Sequence, residues 1–340
     1  MLKKILIALF LLIIIGSLLG AVWAYPYYLE IKENIQLQAR NRSVEIPASA
    51  QTIDQVADYL EAEKIIVDKS SFIQIASRKN YQPAAGKFKI PKEAKNNRDL
   101  VLALRQQKRI AEIVLHNIRH KEQLAGVLGR QTSSDSNAYI ALFQDTNYLN
   151  TLNVKPTTVI SLFIPNSYEI YWSIDAKGVL ERMKKEADKF WNAERLQKAK
   201  NLNLSPTEVY TLASIVETES QYNPERPRIA GVYLNRLRQG WKLEADPTVV
   251  FAVGDFEIRR VLRSHLETPS SYNTYQNTGL PIGPIYMASV NAIDAVLNYE
   301  KHEYMFFCAK ADLSGAHSFA RTLDAHNANA REYHRWLNNR

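Results

Sequence analysis

The chain has 340 residues, of which 46% are hydrophobic and 23% charged, so it is long enough for two or three globular domains. Its formal net charge is +8, but the basic residues are dispersed and no nucleic-acid motif accompanies them, so we expect no nucleic-acid partner. One cysteine, Cys308, and seven histidines without paired ligand spacing exclude a disulfide framework and a zinc site. We therefore expect no metal and no cofactor, and we interpret Cys308 as a buried strand residue.

The N-terminus carries an uncharged apolar run over residues 5–24, preceded by Lys3 and Lys4 and followed by an aromatic belt. As a helix this run would span about 30 Å, the thickness of a bilayer core. A cleaved signal peptide is the alternative, but the run is long and lacks a small-x-small cleavage site. We predict a single-pass inner-membrane anchor over residues 1–29, with a cytoplasmic N-terminus and the rest of the chain periplasmic.

Residues 30–42 are polar and are interpreted as a juxtamembrane linker. In the following stretch, 43–118, period-two alternation predicts strands at 43–47, 86–90 and 109–117, and helical spacing predicts helices at 52–63, 70–77 and 98–107. The initial β-α-α-β order resembles a LysM-like module, a fold that binds glycan chains containing N-acetylglucosamine. A generic α+β spacer is the alternative.

A helical connector is predicted over 119–158, with two helices between 121 and 149 and a cap at Ser134 or Asp135 for the second. The remaining residues, 159–340, are predicted to form a larger α+β domain. It would begin with a strand over 159–170 that runs into a loop, followed by one long amphipathic helix over 177–200.

The central stretch of this domain is a predicted helix over 205–220. Ser205, Pro206 and Glu208 form a capping box with proline in the first turn, and apolar residues recur at helical spacing behind them. At about 100° per residue, Glu217 falls on the flank of the apolar arc and Glu219 falls almost opposite. We therefore expect that these two carboxylates cannot serve one site. A glutamate at the edge of a helix is usually only a solvated charge.

Three further elements follow that helix. A second helix over 229–240 is closed by Gly240, and Asp246 is predicted to cap a third with Pro247 at its first position. A second catalytic carboxylate is the alternative role for Asp246. The loop 271–284 is rich in Tyr, Asn and Thr, which suits either sugar contacts or a plain surface loop. Strands at 304–309 and 315–319 and a helix from 324 complete the prediction.

Several separate motifs occur in one order: ASIVETES, GVYLNRLRQG, KLEADPTVV, SYNTYQNTGLPIGP, GAHSF and LDAHN. Together they resemble the endolytic murein transglycosylases, or YceG-like family, over about residues 162–336. Two departures are visible. The stretch 160–168 lacks the family's Glu-Gly and Asp, and Glu244 stands where the family usually has Gln.

The resemblance implies cleavage of the bond between N-acetylmuramic acid and N-acetylglucosamine inside a glycan strand, which leaves a 1,6-anhydromuramyl end. It implies Glu217 as the catalytic carboxyl group, first donating a proton and then accepting one, and its apolar neighbours are consistent with the desolvation such a donor needs. Glu219 also matches a family acid. The predicted sugar contacts are Tyr272, Asn273, Tyr275 and Asn277, with weaker candidates Asn235, Arg236, Asp246 and His317.

Two other functions stay open. A muramidase-type hydrolase would use Glu217 with Asp246 or Glu244, and a membrane-tethered glycan binder would use no catalysis at all. The absence of an obvious partner for Glu217 favours the transglycosylase. The expected partners are peptidoglycan glycan strands and the inner membrane, and the resemblance also implies peptidoglycan synthases.

Overall fold

The computed structural model describes residues 2–47, 49–105, 109–172, 174–312 and 314–338. The chain forms two compact units. The first contains the residues up to Ile113 together with Gln131–Ser133 and Glu169–Ile174. The second contains Val114–Arg130, Ser134–Tyr168 and the residues from Asp175 onward. Both units mix helices with short strands, as expected of an α+β protein. The finer domain boundaries predicted above stay a prediction.

Helix α1, Leu2–Ile31, contains the predicted apolar run. Its stretch Phe10–Ile31 is long and apolar enough to cross a membrane, with a mean hydropathy of 1.8. The end of α1 is tied into the first unit, because Leu29 is buried and its carbonyl accepts a hydrogen bond of 3.0 Å from the Asn97 amide. The stretch expected to be a polar linker also contributes Ile35 and Ala39 to the core of that unit.

The first unit has the predicted β-α-α-β order: β1 Ser43–Ile46, α2 Ile53–Ala62, α3 Lys69–Arg78 and β2 Gly86–Lys89. Strands β1 and β2 are antiparallel, with Ser43 opposite Lys89. Helix α4, Asn97–Leu104, and strand β3, Arg109–Leu115, follow. The end of the helix predicted over 98–107 lies outside the described residues. With β4, Asn166–Tyr171, the strands form one sheet in the order β1-β2-β3-β4.

Two predictions between residues 121 and 201 undercounted the helices. The pair expected up to residue 149 is three: α5 Lys121–Gln131, α6 Ser136–Gln144 and α7 Thr146–Thr151. Asp135 caps α6 as predicted, but Asp145 then ends α6 and caps α7. The long helix expected over 177–200 is two, α8 Ala176–Phe190 and α9 Ala193–Asn201. Asn192 separates them because its side chain accepts the Arg195 backbone N–H.

The strand expected over 159–170 was wrong in its first half. Val159–Leu162 is a 3₁₀ helix, and the strand begins only at Asn166. The apolar run is buried as a 3₁₀ helix, as it would also be if it were a strand. Hydrophobicity alone therefore did not distinguish a buried strand from a buried turn of helix.

The second unit is arranged around α10, Pro206–Glu219, which begins with the predicted capping box between Ser205 and Glu208. Every residue from Val209 to Val216 is buried, so this helix is enclosed on all faces rather than along one arc. It packs against α11 Arg226–Arg238, α12 Asp246–Val253 and α14 Val290–Leu297. The last turn of α10 emerges from this core and carries the candidate catalytic residues.

The predicted C-terminal elements are confirmed. Strand β5, Phe306–Ala309, pairs antiparallel with β6, His317–Ala320, and a C-terminal helix follows at Leu323–Asn338. A short helix α13, Arg263–Leu266, precedes the Tyr- and Asn-rich loop, so the C-terminal helix is α15. Cys308 lies in β5 as expected, but it is half-buried rather than fully buried.

Candidate active site

A cavity of about 1080 Å³ opens at the C-terminal end of α10. Three carboxylate side chains line it, those of Glu217, Glu219 and Asp246. Its other lining residues include aromatic rings and basic side chains, namely Phe251, Phe256, Tyr286, Tyr333, Arg119, Arg259, Arg260 and His334. Acidic, basic and aromatic groups therefore share one concave surface within the second unit, as in many sites that bind and transform polar ligands.

Glu217 is fixed through both of its carboxylate oxygens. The Arg226 guanidinium donates to Oε1 at 3.0 Å, and the Ser289 backbone N–H donates to Oε2 at 3.2 Å. The Ser289 hydroxyl also donates to Oε2. The Glu217 side chain is only 17% exposed and the Arg226 side chain 5%, so this ion pair is largely shielded from solvent.

The partners of Glu217 are themselves held in place. Arg226 also donates to the Ser220 carbonyl and, at 3.1 Å, to Asn291 Oδ1. Ser289 caps α14, since its hydroxyl accepts the Ala292 backbone N–H. The Glu217 carboxylate thus sits against the N-terminus of a helix, where the helix dipole favours a negative charge. A buried cation and two donors on Ser289 thus surround this carboxylate.

Glu219, the last residue of α10, has a different environment. The buried Tyr233 hydroxyl on α11 donates to its Oε1 at 2.5 Å. Within the described part of the chain, no cation forms an ion pair with it. Burial raises the pKa of Glu219 to about 7, and the nearby Asp246 adds to this while the Tyr233 hydrogen bond and Arg236 oppose it. Such a carboxyl group holds a proton near neutral pH.

The expectation that Glu217 and Glu219 cannot serve one site was wrong. Both line the same cavity although they lie about 200° apart around the helix axis. The reason is that α10 ends at Glu219, so side chains on both sides of the last turn border the space beyond the helix end. A helical wheel describes the middle of a helix better than its terminus.

Asp246 was predicted to cap α12, and this was wrong. The cap position is Ala245, and Asp246 is the first helical residue and makes no capping hydrogen bond. Its carboxylate instead accepts a hydrogen bond of 2.7 Å from the Tyr275 hydroxyl. Asp246 does not cap the helix; its side chain is exposed and lines the cavity.

The structure places the four predicted sugar-contact residues in the loop before α14, and none of them is among the described lining residues of the cavity. Asn273 is completely buried and donates to the Leu266 and Thr268 carbonyls. Asn277 donates to the Ser270 and Asn273 carbonyls. The ring of Tyr272 packs on Phe251, which does line the cavity, with 4.7 Å between the ring centroids.

These contacts give the loop a structural role. Tyr275 reaches the cavity only indirectly, through Asp246. Direct contact between these four residues and a sugar stays a prediction.

The weaker candidates also make mainly structural contacts. Asn235 donates to the His302 and Tyr304 carbonyls, and Arg236 is buried and donates to the Met305 and Leu243 carbonyls. Arg236 also lies 3.6 Å from the Glu244 carboxylate, the residue that stands where the family usually has Gln.

His317 contacts the buried Glu225 carboxylate at 2.8 Å, and its own backbone N–H donates to the same group. Glu225 directly precedes Arg226 in the chain. Its contact with His317 therefore helps to fix the backbone from which Arg226 reaches Glu217.

Sequence reasoning missed the aromatic lining and the partners of Glu217. The Phe256 ring lies 4.9 Å from the Arg119 guanidinium, and His120 stacks against the same ring at 6.0 Å. Arg119 and Phe256 are 137 positions apart, so no local pattern joins them. Ser289 could have been recognised as a helix cap from its place before the apolar run 292–297, but its contact with Glu217 could not.

Among the residues that the structure describes, no group of three or more His, Cys, Asp and Glu side chains is arranged to hold a metal ion.

Comparison with known proteins places these features in a family. The model of the YceG-like family matches residues 44–332. The chain belongs to the YceG-like family. The match begins in β1 and ends within α15, so it extends over most of both units.

Two curated relatives are named endolytic murein transglycosylase. The Bacillus subtilis protein is 30% identical over 226 residues, 62% of each chain. A Streptococcus pneumoniae protein is 24% identical over 346 residues, covering 92% of this chain and 62% of its own. The chain thus spans less than two thirds of the length of either relative.

A crystal structure of a yceG-like protein from Listeria monocytogenes has the same fold. It superimposes with a TM-score of 0.55 and 27% sequence identity, covering 84% of this chain and 98% of that one.

Proposed function

We propose that this protein is an endolytic lytic transglycosylase of peptidoglycan. It would cleave the bond between N-acetylmuramic acid and N-acetylglucosamine within nascent glycan strands, leave 1,6-anhydromuramyl ends and so trim or terminate strand elongation. The observation that carries the proposal is a carboxylate, Glu217, held by a buried arginine at the end of an enclosed helix and exposed to a large cavity. The names of the two relatives support the same reaction class.

The proposed reaction needs no water and no cofactor. The bond from C1 of the muramyl sugar to the leaving oxygen breaks, and that oxygen takes a proton from a carboxyl group. The C6 hydroxyl of the same sugar then closes on C1 and gives up its proton to a carboxylate. General acid and base steps of this kind contribute about 10²–10⁴-fold each. Glu217 is the proposed catalytic carboxylate of this site.

The shape and lining of the cavity suit a glycan. A volume of about 1080 Å³ is at the upper end of typical ligand sites, as a polymer substrate would require. Phe251, Phe256 and Tyr286 offer apolar faces on which sugar rings can lie. Arg119, Arg259 and Arg260 offer cations, which suit the carboxylates of muramyl groups and their peptide stems.

A muramidase-type hydrolase is the second candidate, and one observation favours it. Glu217 shares its cavity with Glu219 and Asp246, so the site has the further carboxylates that a hydrolase uses as nucleophile or as base for water. Glu244 is a poorer partner, because it lies outside the lining and faces Arg236. The products separate the two reactions, because hydrolysis adds one water to the new end.

The proposed setting is the periplasmic face of the inner membrane, with α1 as a single-pass anchor and its N-terminus in the cytoplasm. Lys3 and Lys4 before the apolar run support this orientation. Release of the full-length protein from membranes by high salt without detergent would contradict an anchor. Peptidoglycan synthases are proposed partners on family grounds.

The β-α-α-β part of the first unit is proposed as a LysM-like glycan-binding module. Its element order supports this assignment. Failure of this unit to retain oligomers of N-acetylglucosamine would leave it as a spacer. A membrane-tethered binder without catalysis is the remaining alternative for the whole protein.

The test of the proposed function uses uncrosslinked glycan strands and mass spectrometry of the new ends. Ends that lack one water relative to a reducing sugar are expected from the native protein. Glu217→Gln should lose at least about 10²-fold in rate and keep its fold, because Gln retains the shape but neither the charge nor the acid–base chemistry. Reducing ends would identify a hydrolase, and a near-normal rate in Glu217→Gln would remove this residue from the mechanism.

A further inference from the structure

We infer that the first unit holds one phospholipid against helix α1, with the lipid phosphate bound by Arg78. The inference goes beyond the proposed reaction and rests on one part of the proposed function, the membrane anchor. The site is a cavity of about 540 Å³ where the C-terminal end of α3 meets α1. Arg78, the last residue of α3, forms one side of it. The other described lining residues all belong to α1, namely Leu19, Val22, Trp23, Pro26 and Tyr27.

With α1 spanning the membrane, these residues lie on both sides of the edge of the hydrocarbon layer. The apolar run 5–24 would fill a core of about 30 Å, so that core ends near Ala24. Tyr27 then lies about 4.5 Å beyond this edge, at the helical rise of about 1.5 Å per residue. The headgroup layer on each side of a bilayer is about 5–8 Å thick. Leu19 and Val22 therefore lie at the depth of acyl chains, and Tyr27 lies at the depth of phosphates.

Arg78 is held at the depth of the phosphates by an aromatic ring. Its guanidinium carbon lies 4.3 Å from the centroid of the Tyr27 ring, within cation–π distance. The Trp23 ring lies 5.4 Å from the Tyr27 ring and one helical turn nearer the hydrocarbon. Tryptophan and tyrosine favour this interfacial level because their rings are amphipathic. The fold thus places the Arg78 cation in the layer that contains lipid phosphates.

The charge of Arg78 is not neutralised by the protein. Among the residues that the structure describes, no carboxylate forms an ion pair with it, and the nearby Glu30 is paired with Lys79 at 2.7 Å. A second cation is close by, because the Arg105 guanidinium donates to the Lys79 carbonyl at 2.8 Å. A counter-charge for Arg78 therefore has to come from outside the described chain. Phosphate esters match the planar guanidinium well.

A phospholipid fits this arrangement better than a free anion does. Its phosphate would contact Arg78, and an acyl chain would cover Leu19 and Val22, which are 66% and 71% exposed. Inorganic phosphate would leave these apolar side chains uncovered. A lipid with a negative headgroup, such as phosphatidylglycerol, is favoured over phosphatidylcholine, because the choline cation would lie near Arg78 and Arg105. The bound lipid would hold the first unit against the membrane surface.

The first measurement counts the lipids bound to the full-length protein in a neutral detergent, by native mass spectrometry during titration with phosphatidylglycerol. We expect one retained lipid for the native protein and at least about tenfold weaker retention for Arg78→Gln, which loses a charge-assisted contact. Arg78→Lys keeps the charge without the planar fork and should lie between the two. Lys92→Gln is the matched control, because Lys92 is an exposed cation of the same unit outside the described lining. It should bind the lipid as the native protein does.

The second measurement uses Val22→Trp, which keeps Arg78 and fills the apolar part of the cavity. Val22 is exposed on α1, so the fold should be kept, and thermal unfolding in detergent without added lipid checks this for every variant. We expect Val22→Trp to lose the retained lipid as Arg78→Gln does. Phosphatidylcholine should bind the native protein more weakly than phosphatidylglycerol, and inorganic phosphate at the same concentration should not displace the lipid.

The outcomes separate the lipid site from the anchor and from the enzyme. Release of the native protein from membranes by high salt would contradict the anchor, and the site with it. An anchored protein in which Arg78→Gln and Lys92→Gln retain the lipid equally, or in which inorganic phosphate displaces it, overturns the site alone. Selective loss in Arg78→Gln and Val22→Trp supports the site. Glycan cleavage is scored separately, by the new ends that the native protein produces, so failure of the proposed reaction would leave this result unchanged.

Discussion

At the scale of single residues, Gly283 shows how closely the loop before α14 is packed. A Cβ atom at this position would lie 2.0 Å from the carbonyl oxygen and 2.9 Å from the carbonyl carbon of Thr157. Both are backbone atoms, which cannot move aside as a flexible side chain can. The loop therefore approaches the segment before the 3₁₀ helix so closely that any side chain at 283 displaces one of them.

Gly283→Ala should accordingly lower the free energy of unfolding by about 1–3 kcal/mol, the usual cost of overpacking. Thermal or denaturant unfolding of the detergent-solubilised protein measures the loss. Gly126→Ala is the matched control, because the nearest atom to its Cβ is the end of the Arg130 side chain at 3.4 Å. That change lies within α5 and should be neutral or stabilising by up to about 1 kcal/mol. Equal unfolding midpoints for the two variants would contradict the close approach.

The sequence allowed the position of Glu217 to be predicted but not its neighbours. A helix with a carboxylate at its end is visible in the spacing of apolar residues. Arg226 follows nine positions later, after a break in the helix, and Ser289 follows 72 positions later. Such contacts depend on how separate helices pack, which periodicity does not encode. The same limit applies to Glu219, whose contact with Tyr233 joins two helices.

At the scale of elements, the capping box of α10 links local sequence to the position of the site. The Ser205 hydroxyl accepts the Glu208 backbone N–H, and the Glu208 carboxylate accepts the Ser205 backbone N–H at 2.7 Å. These bonds satisfy the first turn of the helix whose last turn bears Glu217 and Glu219. The start of the helix is thus fixed by Ser205 and Glu208, with Pro206 in the first turn, and the sequence alone identifies all three.

Ser205→Ala should destabilise the protein by about 0.5–2 kcal/mol, because α10 loses its N-cap. Ser205→Thr keeps a hydroxyl and should cost less. Denaturant unfolding measures both, and the cleavage rate at low temperature should stay close to native, since α10 is enclosed by other helices along its length. A larger loss of stability in Ser205→Thr than in Ser205→Ala would show that the hydroxyl is not what fixes this end.

The predicted helix boundaries were wrong where a single polar residue interrupted a continuous apolar pattern. Asp145 ends α6 and caps α7, and Asn192 caps α9 directly after Trp191 has ended α8, while apolar residues recur on both sides at helical spacing. Periodicity reports which face is buried and does not report whether the backbone is continuous. The capping residues that were recognised, Asp135 and Ser205, both precede a helix that follows a visible loop.

At the scale of the whole molecule, the junction between α1 and the first unit was not visible in the sequence. The stretch 30–42 is polar in composition, but α1 continues to Ile31 and its last turns are bound into the unit. Glu30 pairs with Lys79 at 2.7 Å, and the Arg78 guanidinium lies 4.3 Å from the Tyr27 ring centroid. Helix α1 therefore continues directly into the first unit, and its last turns pack there.

This junction predicts where a soluble fragment should begin. Asn97 is completely buried, donates to the Leu29 carbonyl and to Ser71, and accepts from Asn34. A fragment that starts at Ile31 removes that carbonyl and should be less stable than one that starts at Tyr25 by about 1–3 kcal/mol, the cost of an unsatisfied buried group. Thermal unfolding of the two fragments measures the difference. Asn97→Ala in both fragments is the control, because the start position should then matter less. Equal midpoints for the two unaltered fragments would show that the end of α1 contributes nothing to the first unit.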